Sequence, residues 1–285
     1  MTARRRYLTV DPAVFLDGFP ERHFRVGHTL VGHPLLSLDR LLDLARRLPA
    51  PLVEYNGGDV QVCQDPATTP RTGLSLEETV RHIDTCGSWV ALKYVEYDPA
   101  YRQLLHDCIA EVADLARQRR DGLHQLECYI FISSPGAVTP FHFDDEHNFL
   151  LQVQGWKTMH VWHRDSPGAV TAADIELSYT GAARNLPYRP AVESPDDVYT
   201  LSPGQGLHVP VHTPHWVRVG DQVSVSFSVT FRSRALAREA AVHWVNGRLR
   251  RRGLEPRPYG DSAAVDWAKF MAARLARRAA RLRRY

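Results

Sequence analysis

The sequence predicts a mainly β chain, a sandwich or barrel of short strands with helical regions at both ends. Three observations lead there. From about residue 126 to 232, short runs rich in β-branched and aromatic residues (ECYIFISS, NFLLQVQ, KTMHVWH, VYTLS, HWVRV, QVSVSFSVTFR) are separated by Gly, Pro and Asp. On either side of that span, apolar residues recur at helical spacing instead. The 285 residues are 44% hydrophobic and 24% charged, the composition of a chain that buries a core.

Taken in order, residues 34–48, PLLSLDRLLDLARRL, predict a helix with Ser37 as its N-cap. EYNGGDVQVCQDPATTPRTG is dense in Gly, Pro, Asn and Asp and reads as a loop. Residues 75–85 open with a capping box, Ser75 to Glu78, and predict a second helix. SWVALKYVE reads as a short strand, and DPAYRQLLHDCIAEVADLARQR as a long amphipathic helix entered through Pro99. Gly155-Trp156, between two strand-like runs, fits a two-residue hairpin turn with Gly first. In QVSVSFSVTF, Val223, Val225, Phe227 and Val229 alternate with Ser224, Ser226, Ser228 and Thr230, the pattern of a half-buried strand. RALAREAAVHWVNGRL and AVDWAKFMAARLARRAARL return to helix. The expected organisation is a helical N-terminal region over 1–125 packing on a β barrel over 126–232, followed by a helical region over 233–285 with a basic tail.

Several classes are disfavoured. No apolar run approaches the roughly 18–20 residues that cross a bilayer. The basic start, MTARRRYLTVDPAVF, lacks the apolar segment of a secretory signal. Cys63, Cys86, Cys108 and Cys128 are scattered without a CxxC pair, so free thiols in a cytoplasmic protein are expected. There is no G-x-S-x-G nucleophile elbow. Net charge is only +3, yet Arg274, Arg277, Arg278, Arg281, Arg283 and Arg284 crowd one end. No helix-turn-helix or zinc-finger signature accompanies them, so nucleic acid is not the expected partner.

The chemistry concentrates in GAVTPFHFDDEHNFLLQVQGWK, residues 136–157. His142 and Asp144 are two apart, a spacing that on an extended strand turns both side chains to one face and Phe143 to the other. One imidazole and one carboxylate are then aimed at a shared point. A third ligand must come from elsewhere, and GQGLHVPVHTPHWV offers His208, His212 and His215. Two histidines and one carboxylate leave open positions on Fe(II), where a structural zinc site would close all four. Asp145, Glu146 and His147 crowd the same stretch. His160 and His163 read as barrel or surface histidines, and Trp156, Trp162 and Trp216 as packing residues.

Gly136, five residues, His142-x-Asp144 and then Gly155 resemble the first sequence motif of the cupins. Gly204, five residues, Pro210 and then His215 resemble the second. Within cupins, TPFHFDDEHNFLLQVQGWK is similar to the JmjC-type, cupin-like branch of Fe(II)/2-oxoglutarate oxygenases. SSPGAVTPFHFDDEHN, NGGDVQVCQDP and WVALKYVEYDPAY look like a bacterial subgroup of that branch whose members are often labelled transcriptional regulators. The resemblance spans roughly residues 15–235. It implies a double-stranded β-helix (cupin, jelly-roll) barrel in which His142, Asp144 and His215 bind iron. Lys157 and Thr139 would hold the distal carboxylate of 2-oxoglutarate, and Asn148 would reach toward iron-bound groups or substrate. Tyr129 and Thr230 join as pocket residues by strand position alone. One departure is His212, which stands two after Pro210 where the motif carries Gly.

The resemblance implies an Fe(II)-, 2-oxoglutarate- and O₂-dependent hydroxylase acting on an amino-acid side chain in a peptide, a protein or a free amino acid. The arginine-rich end reads first as a solvated helix or frayed tail and next, by that resemblance, as a helix through which two copies form a homodimer. The alternatives are a non-catalytic ligand-sensing regulator and a metal cupin oxygenase that dispenses with 2-oxoglutarate and would not need Lys157.

Overall fold

The alternating strand near residue 227 is buried on both faces, and this sets the layering of the molecule. Val225, Phe227, Val229 and Phe231 pack into the main hydrophobic core, while Ser224, Ser226, Ser228 and Thr230 are equally buried against the inside of a barrel. The expectation of a half-buried strand is corrected here: the serine face meets a polar interior rather than bulk water. The computed structural model describes residues 6–118, 122–188, 192 and 194–282.

The N-terminal region runs β1 (Leu8–Thr9), α1 (Pro12–Gly18), β2 (Phe24–His28), α2 (Leu38–Arg47), β3 (Val53–Gly57), α3 (Leu76–Arg81), β4 (Ser88–Leu92) and α4 (Pro99–Gln118). Ser37 stands at the N-cap of α2 but makes no side-chain capping bond; its hydroxyl donates to the Pro34 carbonyl instead. The Ser75–Glu78 capping box forms as expected, although α3 stops at Arg81 rather than reaching residue 85. A helical cover was expected, but this region also supplies four strands. EYNGG, read as loop, lies largely in β3, because Val53 to Gly57 find a ready partner in Leu92 to Ser88. Pairing overrides the weak strand propensity of Asn and Gly.

The following strands are β5 (Leu123–Ser133), β6 (Val138–His142), β7 (His147–Gln154), β8 (Lys157–Val161), β9 (Asp197–Leu201), β10 (Gln205–Val209), β11 (His215–Val219) and β12 (Ser224–Ser233). A short helix, α5 (Ala172–Ser178), lies between β8 and β9, and α6 (Arg234–Arg250) and α7 (Ala263–Leu282) close the described chain. Eight strands form one sheet in the order β1-β2-β10-β7-β12-β5-β4-β3, and four form a second, β6-β11-β8-β9. From β5 onward the chain steps between the two sheets, as a double-stranded β-helix does.

That stepping overturns one expectation. Gly155-Trp156 is not a hairpin turn, since β7 pairs with β10 and β12 while β8 pairs with β9 and β11. The two residues carry the chain from one sheet to the other. Gly155 has φ 63°, and a Cβ there would lie 2.3 Å from the Val223 carbonyl oxygen, so glycine is required.

The main core lies between the large sheet and the N-terminal helices. A second apolar cluster, with Leu150, Met159, Val161, Leu207 and Val217, fills the inner part of the barrel. Fully burying a side chain such as Phe227 or Phe231 contributes about 2 kcal/mol. No described helix is long and apolar enough to cross a membrane. Of the arginine-rich end, Arg283 and Arg284 lie outside the described residues.

Candidate metal centre and its pocket

His142 ends β6 and pairs directly with His215, the first residue of β11. Cross-strand partners share a face, so the two rings meet, with centroids 4.3 Å apart. Strand geometry stops at His142, one step short of expectation, and Asp144 sits in the loop that follows. The two-residue spacing still works: Phe143 packs with Phe141 and Trp162, while the Asp144 carboxylate turns to the histidines. Its oxygens lie 4.0 Å from His142 Nε2 and 4.0 Å from His215 Nε2. One ligand atom from each of the three residues falls within 4.8 Å of the other two.

The histidine tautomers are set by local backbone. His142 Nδ1 is 2.7 Å from the Pro140 carbonyl, and His215 Nδ1 is 2.9 Å from that of Thr213. Each Nδ1–H donates to its carbonyl, which leaves both Nε2 lone pairs facing Asp144. Burial, reinforced by the charge of His215, lowers His142 to about 4. Burial opposes ionisation of Asp144, yet the charges of His142, Arg184 and His215 outweigh it and its pKa is lowered. Neutral imidazoles and an ionised carboxylate are the forms that bind a cation. His142, Asp144 and His215 therefore come together as the sequence suggested.

The two competing histidines point elsewhere. His208 faces the outer side of β10, stacked on Phe24 at 4.6 Å, with Nδ1 donating to the Arg22 carbonyl. His212 has φ 59°, the left-handed conformation that explains why a glycine belongs at this motif position. Its ring is held by Tyr179 Oη at 3.1 Å and lies 3.6 Å from Glu239 Oε1 on α6. Its backbone N–H donates to the Asp144 carbonyl at 2.8 Å, so this strained turn fixes the loop carrying the Asp144 carboxylate.

A cavity of about 500 Å³ opens beside His142 and Asp144. Tyr129, Asn148 and Thr230 line it, as expected. Tyr129 donates to Glu127 at 3.1 Å, and the Thr230 hydroxyl donates to the Glu127 carbonyl at 3.4 Å. Asn148 accepts from Ser228 at 2.7 Å. Thr139 is exposed and is not on that wall. A β-bulge sets it opposite Val217, whose side chain points into the barrel.

Lys157 begins β8 on the inward face shared with Met159 and Val161. It is 5% exposed and has no hydrogen-bond or ion-pair partner among the described residues, and burial lowers its pKa to about 8. His160 stacks flat on Trp216 at 3.8 Å, and Trp162 packs on Phe141, so these three are packing residues.

Sequence reasoning missed a large share of the pocket. Glu54, Trp89, Ala91, Lys93 and Tyr94 come from or follow β3 and β4, the strands of the supposed cover. Arg184 is 3.5 Å from Asp144 and 2.7 Å from Asp145; Arg232 is 3.0 Å from Asp145 and 3.3 Å from Glu146. Burial and the adjacent Asp145 push Glu146 up to about 9. Burial also works against Asp145, but its bond with Glu146 and the charges of Arg184 and Arg232 bring it down to about 2. Deeper in, Ser226 donates to Gln152, and Gln152 donates to Ser224. The one available signal was the serine alternation, which marks a polar face without saying what it faces.

A double-stranded β-helix holding two histidines and one carboxylate at its mouth is the architecture of the JmjC class, and residues 110–238 match the model of the JmjC domain. Among curated proteins it is similar to lysine-specific demethylase 8 of Xenopus tropicalis, 28% identical over 136 residues, 44% of this chain. It spans only 28% of that relative's length. Among solved structures it resembles Escherichia coli YcfD, with a TM-score of 0.55 and 16% identity over 94% of this chain and 68% of the other. A second structure, described as that bacterium's ribosomal oxygenase YcfD, gives 0.51 and 17%, over 95% and 68%. Likeness at that level of identity establishes the fold.

Proposed function

We propose that this chain is an Fe(II)- and 2-oxoglutarate-dependent hydroxylase acting on an amino-acid side chain within a protein or peptide. The observation that carries it is the convergence of His142 Nε2, His215 Nε2 and the Asp144 carboxylate, each imidazole fixed by its own backbone carbonyl. The donor set fits ferrous iron, with positions left for small oxygen ligands. The orphaned Lys157 ammonium in the same barrel fits a co-substrate bearing a second carboxylate. Bound together, iron and the keto acid supply the oxidising power that places an oxygen atom from O₂ into a C–H bond, releasing succinate and CO₂.

The chain's own residues divide the remaining work. Lys157 neutralises the distal carboxylate, and the Gln152–Ser226 pair gives that depth of the barrel a polar wall. Thr139, exposed on the bulge and off the cavity wall, has no part in this binding. Asn148 presents an amide to whatever occupies the open positions, with its oxygen held by Ser228. Tyr129, Tyr94, Trp89 and Phe131 shape the outer cavity, where a substrate side chain would enter and displace water. A protein substrate agrees with the names of the relatives, a ribosomal oxygenase and a lysine demethylase. Free thiols at all four cysteines suit a reducing cytoplasm. Exposed Trp267 and Leu275, two turns apart on α7, suit a homodimer through the C-terminal helices.

The test is succinate release on mixing with Fe(II), 2-oxoglutarate and ascorbate. Wild-type chain releases succinate; Asp144→Ala, with an unchanged circular dichroism spectrum, retains no stoichiometric iron and releases none. Stoichiometric iron in that variant would refute the ligand set. A wild-type chain that binds iron and 2-oxoglutarate without turnover would be a ligand-sensing regulator. Oxygenase activity indifferent to Lys157→Ala would mark a cupin that does not use 2-oxoglutarate.

A further inference from the structure

A second group of ligating side chains lies at the seam between the two sheets, apart from the barrel mouth. His23 precedes β2 in the large sheet; Asp197 begins β9, the edge of the small sheet; His163 follows β8. His23 Nε2 is 2.8 Å from Asp197 Oδ2, and His163 Nε2 is 3.8 Å from the same oxygen. The two imidazoles stack with centroids 4.9 Å apart, and one ligand atom from each residue lies within 4.8 Å of the others.

We propose that His23, His163 and Asp197 form a second divalent-metal site, suited to Zn²⁺, that clips the N-terminal segment of the large sheet to the free edge of the small one. Tetrahedral zinc with bonds of 2.0–2.2 Å sets its ligands roughly 3.3 Å apart, midway between the two separations observed. Two neutral imidazoles and a carboxylate are zinc donors. His163 and Asp197 are 46% and 43% exposed in their side chains, so a fourth position is open to water, while His23 is 4% exposed and fixes the site to the fold.

Two further observations favour a cation. Neither Asp196 nor Asp197 has a lysine or arginine within ion-pair distance among the described residues, so the two carboxylates lie beside the two rings without a cationic side chain. Asp196 also acts as an outer support, accepting from the His163 backbone N–H at 2.7 Å and from the Ser166 hydroxyl. That pins the turn bearing His163 with its ring toward Asp197, as outer hydrogen bonds do for metal ligands. The remaining group, His212, Glu239 and His243, lacks this opening, because the Arg164 guanidinium already occupies the Glu239 carboxylate.

The site owes nothing to the hydroxylase reading, and its test is separate. Full-length chain and its Asp144→Ala variant are equilibrated with Zn²⁺, dialysed, and measured for bound zinc and melting temperature. His163→Ala, at an exposed position, is expected to remove one equivalent of zinc from either background, together with the zinc-dependent rise in melting temperature. Asp197→Asn should do the same. Zinc content and melting shift unchanged by both substitutions would overturn the proposal, as would an Asp144→Ala chain that takes up no zinc at all.

Discussion

A lysine ammonium inside a barrel raises the free energy of the folded state until a negative charge joins it. Lys157 titrates near 8 when folded, against an unfolded value of 10.5. Below pH 8 both states hold the proton and the burial penalty, about 3 kcal/mol, is fully present. Between pH 8 and 10.5 the unfolded chain keeps a proton that the folded chain has released, so this residue makes stability rise with pH. Lys157→Met is expected to stabilise the ligand-free protein at pH 7 and to abolish that rise, as read by urea midpoints at pH 7.5 and 9.5. The same substitution should weaken 2-oxoglutarate binding by about 1.5–3 kcal/mol, the worth of a charged hydrogen bond. A variant less stable than wild type at pH 7 would show that Lys157 already has a partner. At this scale the candidate ligands were legible, because the His142-x-Asp144 spacing survives the end of the strand. Arg184 was not, since nothing in its own neighbourhood of sequence reports that α5 and the following loop fold over Asp144.

The elements carry a different kind of information. Helix α6 crosses α5 so closely that a Cβ on Gly247 would stand 2.0 Å from the Glu176 carbonyl oxygen. Helix propensity alone says that Gly247→Ala should stabilise α6 by about 1 kcal/mol. Overpacking at the crossing costs about 1–3 kcal/mol and is expected to win, giving a net loss in thermal unfolding. An increase in melting temperature would mean that the two helices part without cost. The position matters for the site, because α6 carries Glu239. Burial resists ionisation of that carboxylate, but the His212 and His243 side chains and Arg164 hold its pKa well below the usual range. Through His212 the helix braces the turn that fixes Asp144. The longer strands and helices were legible from periodicity and capping; β1, α1, β2 and α5 were not read, and neither was β3, because its residues are strand-forming only in the presence of β4.

At the scale of the whole molecule, α7 packs on α6 and leaves Trp267 58% and Leu275 64% exposed. Apolar side chains at i and i+8 form a stripe that a second copy would cover. The wild-type chain is expected to sediment as a dimer, and Trp267→Glu with Leu275→Glu as a monomer of unchanged circular dichroism. A wild-type monomer at micromolar concentration would remove the dimer from the proposal.

The sequence by itself determined the β content, the helices at both ends and the pairing of His142 with Asp144 as candidate ligands. Those rest on periodicity, turn chemistry and short fixed spacings, which are local and survive in one dimension. Only the tertiary structure decided that Gly155-Trp156 changes sheets, that β3 and β4 wall the cavity, and that the serine face of β12 looks into the barrel. Each of these depends on which strand pairs with which. Pairing is chosen by the burial of the whole assembly, so distant residues such as Val53 and Leu92 fix it together and neither one announces it.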